Sequence, residues 1–181
     1  MKKNVLLGAI VLLLQSCAAS IGLVNPQPNI NLKQSQKSLA LVIDDTIKDS
    51  YSNSASINLT GNSIGLNVKD WRTSLANGFQ NGFKDYFLVT EDKSHADFIV
   101  DLLKADVDFV PADFSKDGVS SRKAQITYKV NLLNNKGEII NTFASTASAK
   151  TATSSSSDAT SSGRSAIESM YEAIAQKFFG N

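Results

Sequence analysis

Residues 122–150 read RKAQITYKVNLLNNKGEIINTFASTASAK. Over Arg122–Leu133 the side chains alternate strictly. Ala124, Ile126, Tyr128, Val130 and Leu132 form one set, and Lys123, Gln125, Thr127, Lys129 and Asn131 the other. A period of two places each set on one face of an extended strand, with a core on one side only. Asn134-Asn135-Lys136-Gly137 supplies turn chemistry, and Glu138–Lys150 returns as the second arm of a hairpin. This hairpin predicts a sheet with one buried and one open face.

The stretch before it extends the sheet. Residues 96–110, ADFIVDLLKADVDFV, begin apolar on both faces. They then alternate, with Ala105, Val107 and Phe109 opposite Lys104, Asp106 and Asp108. This predicts one long strand, bulged where the pattern changes, that leaves the core and becomes half exposed. Ser38–Ile43, SLALVI, reads as a short buried strand, Phe87–Thr90 as another, and Ala55–Thr60 as a weaker candidate. Two helices complete the set. Val68, Trp71, Leu75, Phe79 and Phe83 share one face of a helix predicted over 68–86, with Asn67 as its N-cap. Gly78 and Gly82, four apart, predict close packing on the sheet. Ser165-Ala166-Ile167-Glu168 matches a capping box. It predicts a last helix striped by Ile167, Met170, Tyr171, Ile174 and Phe178 and stopped at Gly180. The expected architecture is α+β: a two-layer sandwich of about five mostly antiparallel strands, with two helices on one face.

The first seventeen residues carry a different signal. Lys2 and Lys3 precede an apolar run, Val5–Leu14, and then Leu14-Gln15-Ser16-Cys17. That is a charged n-region and a short h-region ending at a cysteine. The run falls short of the ~20 residues of a membrane span. Cys17 is the one cysteine in the chain, so no disulfide framework exists. The segment resembles a lipobox. Residues 1–16 are expected to be a lipoprotein signal peptide, and Cys17 to be acylated. Residues 17–37 hold Pro26, Pro28 and a polar Gln34–Lys37 stretch, and are expected to be a flexible tether. Residues 38–181 are expected to form one domain. Ala18 and Ala19 resemble an outer-membrane sorting signal, which implies a lipid-anchored domain in the periplasm.

The order of elements resembles that of the YajG-type family of bacterial lipoproteins. The resemblance runs through SLALVID, the helix near Asp70-Trp71-Arg72, Ala96–Val100, the ITYKVNLLNNKGEII hairpin and the closing helix. More distantly, the chain is similar to sheet-and-two-helix lipoproteins that activate peptidoglycan synthases or assist outer-membrane assembly. These resemblances imply a non-enzymatic module that presents a surface to an envelope protein partner. They carry over no catalytic residue and no cofactor.

Charge sets further bounds. The whole chain has 18 Lys and Arg against 17 Asp and Glu. Without Lys2 and Lys3 the balance is 16 to 17, which lacks the basic footprint of a nucleic-acid binder. Gly61-Asn62-Ser63-Ile64-Gly65 spells the G-x-S-x-G of a nucleophile elbow, and His95 follows downstream. A small serine hydrolase using Ser63 and His95 is therefore one alternative. The strand order and the small size argue against it. The sole histidine with Asp92 and Asp97 is a poor zinc set, so no metal is expected. Asp106 and Asp108 form a carboxylate pair, read as a polar contact surface. A second alternative is a carrier that holds an apolar ligand among its aromatic residues. The Ser/Thr-rich Thr142–Ser165 stretch reads chiefly as a linker into the last helix. The surface left for a partner is the open sheet face, at Lys123, Thr127, Lys129, Asp106 and Asp108.

Overall fold

The computed structural model describes residues 19–55, 64–112, 122–150 and 159–180. Its strands are β1 (Ala19–Ile21), β2 (Ser38–Ile43), β3 (Tyr51–Ala55), β4 (Ile64–Val68), β5 (Leu88–Thr90), β6 (Phe98–Pro111), β7 (Arg122–Asn134) and β8 (Ile139–Ser148). The helices are α1 (Trp71–Phe83) and α2 (Ala159–Phe179). The fold is an α+β sandwich, and β2 has the expected limits.

The main sheet runs β5-β2-β6-β7-β8. β2 pairs parallel with β5 and β6, while the long β6-β7-β8 meander is antiparallel. The sheet is therefore mixed. β6 slips register between Leu102 and Lys104, where the alternation changes, and β2 stops pairing there at Ile43. A second sheet, β1-β4-β3, was not expected. β3 ends at Ala55, where the weaker strand candidate begins; the rest of that candidate lies outside the described residues.

One face of the main sheet carries Leu39, Val100, Leu102, Val107, Ile126, Tyr128 and Val130, all buried. Both helices lie on it. Phe178 and Phe179 of α2 meet Phe143 and Phe98 of the sheet. Phe79, Phe83, Phe87, Tyr171 and Phe179 touch ring to ring, with centroids 4.8 Å apart at the closest pair, Phe87 and Phe179. The aromatic content thus packs on itself.

Four local expectations need correction. The N-terminus of α1 is three residues later than predicted, and Asn67 does not cap it. Asn67 lies in β4 and accepts a bond from Ser52 Oγ. Asp49, distant in sequence, takes the capping role. Its carbonyl accepts from Trp71 N and its side chain from Arg72 N, both at 2.9 Å. Asp70 sits at φ 53 to turn the chain into the helix. Likewise α2 begins at Ala159, and the capping-box residues serve tertiary contacts. Ser165 Oγ accepts from Lys150 N, and Glu168 from Gln27 N. Gly78 packs close, but on α2 rather than on the sheet.

The fourth correction is the largest. Residues 19–37 do not form a free tether. β1 pairs with β4, and Ile21, Val24 and Ile30 are buried in the core. From Gly22 to Ile30 the chain lies as a strap between α1 and α2. Asn77 and Asn81 of α1 donate to the carbonyls of Val24 and Pro26. Glu168 and Glu172 of α2 accept from the amides of Gln27 and Asn29, both at 2.9 Å. Each pair is spaced i, i+4, so both members face the strap. The prolines that suggested disorder suit this extended path, because it needs few ladder bonds from the strap's own amides. Composition showed the segment to be non-helical; it did not show the two helices waiting to hold it.

Candidate functional site

The pleat of β6 and β7 sends one set of side chains to the core and the other to the opposite face. On that face Lys104, Asp106, Asp108, Thr127 and Lys129 are exposed, and Lys123 and Gln125 are half-buried. The register brings the predicted residues together. Asp106 lies opposite Thr127, Asp108 opposite Gln125, Lys104 opposite Lys129, and Val110 opposite Lys123. They form one polar field over the outer half of the two strands.

The carboxylates there have separate tasks. Asp106 pairs with Lys104 Nζ at 3.2 Å. Asp108 Oδ1 accepts from Phe109 N at 2.7 Å. Neither arrangement shares a proton between the two, so they do not form an acid–base couple. β6 has lost β2 as a neighbour in this region, and side chains replace the missing strand. Trp71 Nε1 donates to Ala105 O at 2.9 Å. Tyr51 Oη lies 3.1 Å from Val107 O and 3.2 Å from Val107 N. Burial pushes the Tyr51 phenol well above its ordinary pKa, so it stays neutral and can donate and accept at once. A groove of about 710 Å³ opens along this plugged edge, between Lys48, Tyr51 and Trp71 on one side and Lys104 to Asp108 on the other.

The other half of the open face was missed in the sequence. Cross-strand partners place Ala40, Ile99, Leu133 and Ile139 in one row over β2, β6, β7 and β8. Leu88 of β5 lies beside Ser38 at the same end of the sheet. Leu88, Ile139 and Ile140 are three of the four large apolar side chains exposed among the described residues. Ile99 and Leu133 are half-buried. The available signal was the uninterrupted apolar run at Phe98–Val100 and Leu132–Leu133, which reads as a strand buried on both faces. Here the second face meets solvent.

The residues of the hydrolase alternative do not form a described site. Ser63 lies outside the described residues. His95 is exposed in the turn before β6. Its Nδ1 meets Asp92 Oδ2 at 2.7 Å and Ser94 Oγ at 3.0 Å. Both partners use the same ring nitrogen, whereas a base that relays between nucleophile and carboxylate uses both nitrogens. Hydrogen bonds from Ser94 and then His95 lower the Asp92 pKa to about 2. Asp97 is tied to Ser38 instead, accepting from its amide and hydroxyl. Among the described residues no three His, Cys, Asp or Glu side chains are grouped to hold a metal. Of the Thr142–Ser165 stretch, Thr142–Ser148 is β8 and Ala159 onward is α2; residues 151–158 lie outside the described set. Cys17 also lies outside it.

No family model matches this chain, and no curated protein matches it in sequence. Solved structures do resemble it. A protein of the DUF330 family from Xanthomonas campestris aligns with a TM-score of 0.53 at 12% identity, over 90% of this chain and 95% of that one. The likeness shows a shared fold. A minor lipoprotein from Acinetobacter baumannii aligns with a TM-score of 0.44 at 11% identity, over 80% of this chain and 91% of that one. A neuraminyllactose-binding hemagglutinin homolog from Helicobacter pylori reaches 0.43 at 16% identity, over 87% and 92%. No described helix is long and apolar enough to cross a membrane.

Proposed function

We propose that this chain is a lipid-anchored, non-enzymatic binding module of the bacterial envelope. In this reading residues 1–16 are a cleaved signal peptide, and acylated Cys17 holds the domain at the periplasmic side of the outer membrane. An envelope protein is recognised through the open face of the five-stranded sheet. The observation that carries the reading is that face itself. It joins an apolar row, Ile99–Leu133–Ile139, to a polar field at Asp106, Asp108, Lys123, Thr127 and Lys129. An exposed apolar cluster marks a protein interaction site, and the adjoining polar field supplies the hydrogen-bonding groups that such interfaces also use.

The test is a photo-cross-linking residue at Ile139 or Thr127 in native cells, with Gln176 on the helical side as control. The reading expects one discrete protein adduct from the two sheet positions and none from Gln176. Adducts confined to Gln176 would move the interface to the helices. In a complementation assay, Ser63→Ala and His95→Ala should retain function. Loss in both, with normal folding, would favour the hydrolase. A radioactive fatty acid should label the wild type and not Cys17→Ser.

A further inference from the structure

We propose that the domain docks directly on the bilayer through one defined end of the sandwich. That end is formed by β1, the first turns of α2 and the adjoining ends of β6 and β7 at Pro111 and Arg122, and its partner is an anionic phospholipid surface. The inference rests on the acylation read at Cys17 and adds what the strap implies. A flexible tether of 20 residues has a root-mean-square reach of ~25 Å and lets any face meet the membrane. Here the packed chain already includes Ala19, the first described residue. Cys17 and Ala19 are two residues apart, which the chain spans by at most ~7 Å.

The attachment point is also rigid. Ala19 to Ile21 pair with Leu66 to Val68. Thr160 Oγ1 donates to Ser20 O at 3.2 Å and accepts from Gly22 N at 3.3 Å. Ile21 packs where a Cβ on Gly163 would stand, 2.9 Å away. Beyond it, the strap is gripped by Asn77, Asn81, Glu168 and Glu172. No slack is paid out on the fold side of Ala19 unless these contacts break.

The chemistry of this end suits headgroups. Leu23, beside the Gly22–Thr160 contact, is 56% exposed. Arg164, one turn beyond Thr160, is exposed, and half-buried Lys123 lies nearby at the start of β7, where Ser162 Oγ accepts from Ala124 N. Basic side chains near an anionic surface attract it, and an apolar side chain can enter the headgroup layer. The opposite end of the sheet holds the Asn134–Gly137 turn. It lies ~44 Å away along the thirteen residues of β7, at ~3.4 Å each.

The experiment uses the full lipidated chain in vesicles of phosphatidylethanolamine and phosphatidylglycerol with a rhodamine-headgroup acceptor. Ser161→Cys or Asn135→Cys carries the donor dye, because acylation blocks the Cys17 thiol. Energy transfer should be at least threefold stronger from 161 than from 135. A 20-residue Gly-Ser insertion between Ala18 and Ala19 should bring the two together. Equal transfer from both sites in the uninserted chain, with the protein floating alongside the vesicles, overturns the docking and leaves the anchor standing. Failure to float overturns the anchor, and the docking falls with it.

Discussion

Gly78 of α1 faces Tyr171 of α2 with no room for a methyl group between them. A Cβ at Gly78 would stand 2.8 Å from Ile167 Cγ2 and 3.0 Å from Tyr171 Cε2. Neither neighbour is free to yield, since both are fully buried. Helix propensity alone would favour Gly78→Ala by ~1 kcal/mol. Overpacking a close helix contact costs ~1–3 kcal/mol. Gly78→Ala is therefore expected to be neutral to destabilising by about 2 kcal/mol. A urea titration measures it, and a gain in stability would mean the helices stand farther apart than described.

The strap makes the next prediction. Glu168 and Glu172 accept amide bonds from Gln27 and Asn29, and Glu172 also pairs with Lys150 Nζ at 2.8 Å. Hydrogen bonds to a charged group are worth ~1.5–3 kcal/mol when well shielded, and these are partly wet. Glu168→Ala with Glu172→Ala should lower stability by about 1–3 kcal/mol. It should also open the chain between Gly22 and Ile30 to limited proteolysis while the β-sheet circular dichroism persists. A digestion pattern identical to wild type would show that burial of Val24 and Ile30, with the Asn77 and Asn81 bonds, holds the strap without the glutamates.

Trp71 separates two contributions. It is fully buried, and its indole N–H satisfies Ala105 O on the edge that β2 leaves unpaired. Trp71→Ala should cost ~3–5 kcal/mol, as large core truncations do. Trp71→Phe keeps most of the packing and strands a buried carbonyl, at ~1–3 kcal/mol. The Lys123, Thr127 and Lys129 triple alanine variant should stay within about ±0.5 kcal/mol per site. Melting curves for the three rank them. A triple variant less stable than Trp71→Phe would place that face in the core.

These residues also show what the sequence made legible. The alternation of Arg122–Leu133 read the hairpin, its buried face and its open face correctly, because a pleat converts a period of two directly into two sides. With the alternation over Lys104–Phe109, it placed Asp106, Asp108, Thr127 and Lys129 on one surface. What it missed depends on contacts distant in sequence. The β1 segment and the strap are short, polar or proline-bearing, and acquire structure only from β4, α1 and α2. Asp49 caps α1 through the fold, so no local spacing betrays it. The apolar row at Ile99, Leu133 and Ile139 escaped because an apolar run gives no information on which of its faces is covered.

A last prediction concerns acid. Asp97 accepts from Ser38 N at 2.8 Å and from Ser38 Oγ at 2.9 Å, joining the start of β2 to the start of β6. Ser38 Oγ in turn accepts from Asp97 N. These bonds, the backbone one first, hold the Asp97 carboxyl below its ordinary pKa. A carboxylate with a depressed native pKa binds fewer protons folded than unfolded around pH 4. Its stabilisation is complete above the unfolded value and disappears as pH falls through the native one. The wild type should therefore melt above Asp97→Asn by a constant margin from about pH 5 upward. Below pH 4, as Asp97 itself becomes protonated, the margin should shrink. Ser38→Ala should lose part of that margin near neutrality and make the pH dependence shallower, because it removes the hydroxyl bond and leaves the larger, backbone one in place. Melting temperatures from pH 2.5 to 7 test this. A margin that stays constant down to pH 2.5 would assign the stabilisation to the neutral form of the side chain and not to its charge.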